Sequence, residues 1–227
     1  MYMIVGYSKV IITPNKPMTM SGYDNRHKRI YDEPDSPSTK IFNGKDLSNW
    51  NFVVENDAVP GDQVYAVKDG QISIKGEPLG YMYTKEKYVN YTLELEYRWA
   101  EEASNSGIFV LIEDPKNPFA TGVEIQLAAG KAGDFVLLAG SDMKEYTLPE
   151  GVTERPKFPV IQKKQPSSEN PAGEWNKVKI TVQDGVVDVY VNDVHQNTGT
   201  GLVKEGNIGL QSEGKEILFR NLVLTKM

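Results

Sequence analysis

Glu124 and Gln126 alternate with Val123, Ile125 and Leu127. In an extended strand this spacing sends the two polar side chains to one face and the three apolar ones to the other. A carboxylate held on such a face can take up or deliver a proton. Its amide neighbour offers both a donor and an acceptor. A solvated outer surface would show the same alternation, so the pattern nominates Glu124 and Gln126 without deciding their use. Other side-chain chemistry is scarce. Cysteine is absent and histidine is limited to His27 and His195. Disulfides, thiolate metal sites and thiol nucleophiles are thereby excluded. A histidine zinc centre would need carboxylates to complete it, and a Ser-His-Asp triad would have to use one of the two imidazoles. Acid–base work falls to carboxylates, with lysine and tyrosine in reserve.

A second carboxylate, Glu213, lies in the tight turn Gln211-Ser212-Glu213-Gly214. Asn105 enters the apolar run Ile108–Ile112 through Asn105-Ser106-Gly107, where turn chemistry accounts for the asparagine as well as function does. Arg220 sits between Phe219 and Leu222 and needs a partner, because an unpaired buried charge is costly. That partner is a structural one, Glu124 or Glu213, or else a bound substrate. Asp134 is a candidate for the same cluster.

Strands must position these groups. From Ile41 onward, extended segments alternate with clusters of Gly, Asn, Asp and Pro. Tyr91, Leu93, Leu95, Tyr97 and Trp99 fall on one face of a strand, with Glu94, Glu96 and Arg98 on the other. Val178–Val182 and Val186–Val191 flank Gln183-Asp184-Gly185 as a hairpin, and Asn192-Asp193 supplies the next turn. Ile208–Gln211 and Ile217–Leu224 read as two closing strands, and Ile108–Ile112 as a strand covered on both faces. No helical period runs beyond about two turns. The expected class is all-β, a sandwich or jelly roll of antiparallel sheets. Five prolines between Pro149 and Pro171 predict a long irregular excursion. Residues 1–40 form a separate extension, with one short strand over Ile4–Thr13 and a turn-rich remainder expected to lie against the domain or be partly unordered. Residues 41–227 form the domain.

The 227 residues suit a single core. With 31 acidic against 25 basic residues and no basic block, nucleic acid is not an expected partner. No apolar run approaches the roughly 18–20 residues that span a bilayer. Met1–Val10 carries no basic stretch followed by an apolar one, so no export signal is read there, and location is left open.

Several segments, in order, resemble the 3-keto-disaccharide hydrolase family. They are Ile41–Trp50, Val67–Ile72, Gly80–Thr84, Tyr91–Trp99, Asn105–Phe109, Glu124–Gln126 with Gly133–Phe135, Gly173–Asn176, Leu210–Gly214 and Phe219–Asn221. The resemblance covers about four-fifths of the chain. It implies a concanavalin-like jelly roll of two curved antiparallel sheets, and export to the periplasm or beyond. It also implies cleavage of glycosides already oxidised to a ketone at C3 of the sugar, by proton abstraction at C2, elimination and hydration. An oxidoreductase that makes the ketone is then an implied functional partner. Glu124 becomes the base and Glu213 the acid, with Asn105, Gln126, Asp134 and Arg220 around the substrate. Tyr81, beside Tyr83, could stack on a sugar face, and Lys164, beside Lys163, could cover the site. No cofactor is expected, with calcium conceivable at an edge loop. Some members carry an Asp after the Glu-x-Gln strand where this chain has Ala128 and Ala129. A non-catalytic carbohydrate-binding module is the alternative. His195 is read as a surface histidine, and Trp50 and Trp175 as core anchors. Gly6–Pro14 and Met20–Tyr23 are similar to the opening of neutral ceramidases, whose zinc ligands have no counterpart here.

Overall fold

Period-two patterning is clearest over Tyr91–Trp99, Asn176–Gln183, Val186–Val191 and Ile217–Lys226 in the computed structural model, which describes residues 37–227. The strand expected at Ile4–Thr13 and the ceramidase-like stretches lie outside the described residues. In chain order the strands are β1 (Ser38–Lys40), β2 (Trp50–Val54), β3 (Tyr65–Lys68), β4 (Gln71–Ile74), β5 (Gly80–Thr84) and β6 (Tyr88–Val89). There follow β7 (Tyr91–Trp99), β8 (Gly107–Ile112), β9 (Gly122–Gln126), β10 (Phe135–Leu138) and β11 (Val160–Ile161). The last five are β12 (Asn176–Gln183), β13 (Val186–Val191), β14 (Val194–Thr200), β15 (Glu205–Ser212) and β16 (Ile217–Lys226). Helix among the described residues is confined to two single 3-10 turns, Glu55–Asp57 and Gly61–Gln63.

The strands form two antiparallel sheets in a jelly-roll sandwich. One runs β14-β13-β12-β7-β16-β4-β3, with β1 also paired to β16; the other runs β11-β10-β9-β8-β15-β5-β2, with β6 also paired to β15. Ser38–Lys40, assigned by sequence to the N-terminal extension, pair with Thr225–Val223 and so belong to the first sheet. The alternation of Tyr91–Trp99 is reproduced residue for residue: the five aromatic and leucine positions are buried and the four between them half-exposed. The expected hairpin is β12–β13, turning on Asp184 and Gly185, both at positive φ. The proline-rich excursion contributes only the two-residue β11.

Inward-facing side chains of both sheets make one large core that includes Leu93, Leu95, Ile108, Ile125, Phe135, Ile180 and Leu210. Ile180, in the middle of β12, is fully buried. Ile180→Ala removes three buried carbons and leaves a cavity, so chemical denaturation should show a loss of about 2–5 kcal/mol. Leu202→Ala, at a site 67% exposed, should stay within about 0.5 kcal/mol.

β8 is buried along its whole length, as is the shorter β10. Its outward residues Phe109 and Ile112 lie under a second, smaller apolar cluster with Tyr81, Val136 and Leu138. Phe119 and Phe158, from the loops before β9 and before β11, close over this cluster with ring centroids 4.8 Å apart. The second sheet therefore carries loop-covered apolar surface on its outer face, next to the polar residues described below.

Candidate active site

The register of the second sheet sets the order of side chains on its outer face. Val136, Glu124, Phe109, Gly209 and Tyr83 form one row across β10, β9, β8, β15 and β5. The next row holds Gln126 opposite Gly107 and Gln211 opposite Tyr81. One step beyond the strands, Asn105 bridges Glu213. Phe109/Gly209 and Asn105/Glu213 thus keep one register, with Gly107 and Gln211 between them, and all point to the same side. Strand alternation alone brings Asn105, Gln211, Glu213, Glu124 and Gln126 onto one face.

Gly107 is the open square of this lattice. A Cβ there would stand 2.5 Å from Glu124 Oε1 and 2.6 Å from its Cγ, so the carboxylate occupies the space a side chain would fill. Glu124 is only 3% exposed, and its Oε1 has no hydrogen-bond partner among the described residues. Asn105 Oδ1, Gln211 Oε1 and the Tyr81 hydroxyl are likewise buried and unpaired there. Each such group costs about 1–3 kcal/mol when it loses water without gaining a partner. Four on one face are hard to account for by stability, and mark a surface prepared for a polar ligand.

The electrostatics agree. Burial, and then the nearby charge of Glu213, pushes the Glu124 carboxyl up to about 8. Burial also raises Glu213, while hydrogen bonds from Asn105 and Gln211 pull it back. The Gln211 amide donates to Glu213 Oε2 at 2.8 Å, and Ser106 Oγ donates to Gln211 O at 2.9 Å. The two carboxyls stand in unlike surroundings, one dry and one hydrogen-bonded, so they hold a proton with unequal ease.

The other residues nominated by sequence divide. Gln126 joins the face but turns its Oε1 onto the backbone N–H groups of Leu127 and Ala128, leaving its Nε2 as the free end. Asp134 is buried beside Gln126 and accepts from the Lys163 backbone N–H at 2.8 Å, so it fastens the proline-rich loop. Lys164 is exposed, its own backbone N–H donating to Gln196 O. Tyr81 is wholly buried, with its ring against Phe109 and Tyr83 at 5.3 and 5.8 Å, so it offers a hydroxyl and no open stacking face. Arg220 does not meet Glu124 or Glu213. It lies on the outer face of the other sheet, hydrogen-bonded to Glu96 and 3.9 Å from the Trp175 ring. Alternation with the buried Ile217 and Phe219 turns Arg220 outward, and a bulge after it shifts the register so that Leu222 and Leu224 face the core. Trp175 is correspondingly a half-exposed ring between Arg220 and Arg98, while Trp50 is in the core as expected.

Sequence reading passed over Gln211 and Gly107 as site residues. Gln211 was within reach of it, since alternation from Ile208 and Leu210 puts the glutamine outward. Gly107 was not, because its role depends on Glu124 filling the space from a neighbouring strand. Among the described residues no three His, Asp or Glu side chains gather as a metal site.

Residues 37–225 match the 3-keto-alpha-glucoside-1,2-lyase-like domain family. A 3-keto-disaccharide hydrolase of Bacteroides thetaiotaomicron is 24% identical, the match covering 80% of this chain and 76% of the relative. A crystal structure of a candidate glycosyl hydrolase from Parabacteroides distasonis superposes with a TM-score of 0.60 at 21% identity, over 84% of this chain and 94% of the other. The carbohydrate-binding module CBM66 of Bacillus subtilis superposes with a TM-score of 0.57 at 11% identity, over 80% and 98% of the two chains. At these identities the two superpositions establish the shared fold.

Proposed function

Because this chain belongs to the 3-keto-alpha-glucoside-1,2-lyase-like domain family, we propose that it cleaves the glycosidic bond of 3-keto-glycosides with Glu124 as the base. The observation that carries this reading is the buried, unpaired Glu124 carboxyl, raised to about 8 and surrounded by unpaired amide groups.

A ketone at C3 acidifies the hydrogen on C2. Glu124 takes that proton, and the C2–H electrons form the C2=C3 double bond of an enolate whose charge rests on O3. The donors left free to meet that oxygen are the Gln126 Nε2 and the Tyr81 hydroxyl, while the unpaired Asn105 Oδ1 and Gln211 Oε1 are acceptors suited to sugar hydroxyls. Collapse of the enolate restores the ketone and expels the C1 oxygen, which takes the proton now held by Glu124; Glu213, expected from sequence to be the acid, stays ionised as the neighbouring charge. Water adding across C1 and C2 then yields the free 3-keto sugar. The ketone must be supplied by an oxidising enzyme acting beforehand on the glycoside.

Incubation with 3-keto-trehalose and with unoxidised trehalose tests the reading. Release of glucose from the first alone is the expected result. Binding of the ketosugar without release would instead make this a carbohydrate-binding module.

The pH dependence separates the two carboxyls. As the base, Glu124 must be ionised, so kcat/KM should rise with pH through about 8. In Glu213→Gln the rising limb should move to lower pH, because one of the two causes of the elevation is gone. It should stay above the ordinary carboxylate range, because burial is the larger cause. A limb that does not move would mean that the charge of Glu213 is not felt at the base.

A further inference from the structure

The outer face of the other sheet holds a cavity of about 500 Å³ over β12, β13 and β14, within the roughly 300–1,000 Å³ common for ligand pockets. Lys179, Tyr190 and His195 stand side by side on neighbouring strands, with Thr181 and Asp188 in the adjacent row. Lys177 and Asp193, near the β13–β14 turn, complete the lining.

Three observations mark it as more than a solvated face. The side chains are held in a chain: Asp188 Oδ1 is 3.2 Å from His195 Nε2, and the His195 ring lies 4.8 Å from that of Tyr190 at a tilt of 42°. A bulge in β14 produces this arrangement. Val189 pairs with Asn197 but Tyr190 with His195, leaving Gln196 as the extra residue. Gln196 and Asn197 are both fully buried, so Thr198 and His195 on either side of them can both face outward beside Asp188 and Tyr190. Tyr190 is also one of the few large aromatic or aliphatic side chains exposed on the domain, at 37%.

The chemistry of the lining narrows the ligand. Two lysines face two aspartates, Lys177 Nζ being 3.7 Å from Asp193 Oδ1, so neither an anion nor a cation is favoured by charge. Glu94 lies opposite Lys179 on β7 and gives that lysine a carboxylate neighbour. What remains is a planar aromatic ring among ammonium donors, carboxylate acceptors and a hydroxyl. This set fits the C–H face and hydroxyl rim of an uncharged sugar.

We propose that this groove is a second saccharide-binding site, for a neutral hexopyranose oligosaccharide that stacks on Tyr190 and hydrogen-bonds to Lys179, Thr181 and Asp188. It is independent of the cleavage face, which belongs to the opposite sheet.

Calorimetric titration of the whole protein with maltotriose, cellotriose and, as a charged control, tri-galacturonate tests it. At least one neutral trisaccharide should bind in the millimolar range. Tyr190→Ala should weaken it at least about tenfold, and Glu124→Gln should leave it unchanged. Lys179→Gln, which leaves the ring in place, should also weaken it and serves if Tyr190→Ala does not fold. The proposal is overturned if neither neutral trisaccharide binds, if binding survives both groove substitutions, or if Glu124→Gln abolishes it. Tighter binding of tri-galacturonate would overturn it as well.

Discussion

Glu124→Gln should lower kcat for cleavage of a 3-keto-glycoside by about 10²–10⁴-fold, the usual contribution of a positioned proton acceptor, while leaving the fold intact. Glutamine has the shape of the carboxylate and can occupy the space above Gly107, but it cannot accept the C2 proton. The substitution has a second, opposite effect that guards against misreading a damaged protein. The folded state holds the Glu124 carboxyl at about 8, above the ordinary carboxylate value. A carboxyl raised on folding binds its proton more tightly in the native than in the unfolded chain. The contribution of this one group to stability is therefore fully present at acid pH and declines as pH climbs from the unfolded value toward about 8. Glu124→Gln lacks that titration, so its stability relative to wild type should improve across this window. Denaturation at pH 5 and pH 8.5, alongside single-turnover rates, reads both effects. An inactive variant that is also less stable at pH 8.5 would overturn the assignment of the base.

Gly107→Ala should be nearly as damaging by a different route. The added methyl would stand 2.5 Å from Glu124 Oε1 and 2.8 Å from Cδ, closer than such atoms approach. The carboxylate must swing away, and a displacement of about 1 Å at a reacting group costs roughly 10²-fold in rate. Because the base is moved and not removed, the pH profile should change with the rate, its rising limb shifting as Glu124 meets a different degree of burial. Glu124→Gln would instead abolish that limb. The double variant should be scarcely slower than Glu124→Gln alone, since both act on one group. Unchanged activity in Gly107→Ala would mean that Glu124 has room the structure does not show.

Most of the fold could be read from the chain because a two-residue period is explicit in the sequence. The faces of Tyr91–Trp99 and of Val123–Leu127 follow from alternation alone, and the turns at Asp184-Gly185 and Asn192-Asp193 from residue type. Glu124 and Gln126 were legible as candidates because alternation turns them outward, and Asn105 and Glu213 because each is a polar residue in a turn at a strand end. Two kinds of information were missing. Sheet order is not written in a single strand: Arg220 alternates outward as its neighbours require, but β16 joins the sheet opposite β9, so the arginine meets Glu96 and Trp175 on the far side and not Glu124. Coverage by loops is equally invisible in a single strand. Tyr81 reads as a half-exposed aromatic until Phe119 and Phe158 are seen closing over its neighbours. Asp134 shows the same limit, since its partner is a backbone amide of a loop with no regular pattern.

The placement of β16 between β7 and β4 has a consequence for how the protein is made. The first sheet lacks a middle strand until Ile217–Lys226 have been synthesised, and β7, which waits for them, was finished more than a hundred residues earlier. Long-range pairings of this kind form slowly and leave edges bare in the meantime. During synthesis the β14-β13-β12-β7 and β4-β3 portions can each pair while nothing joins them, and the sheet closes only when Ile217–Lys226 slide into the gap.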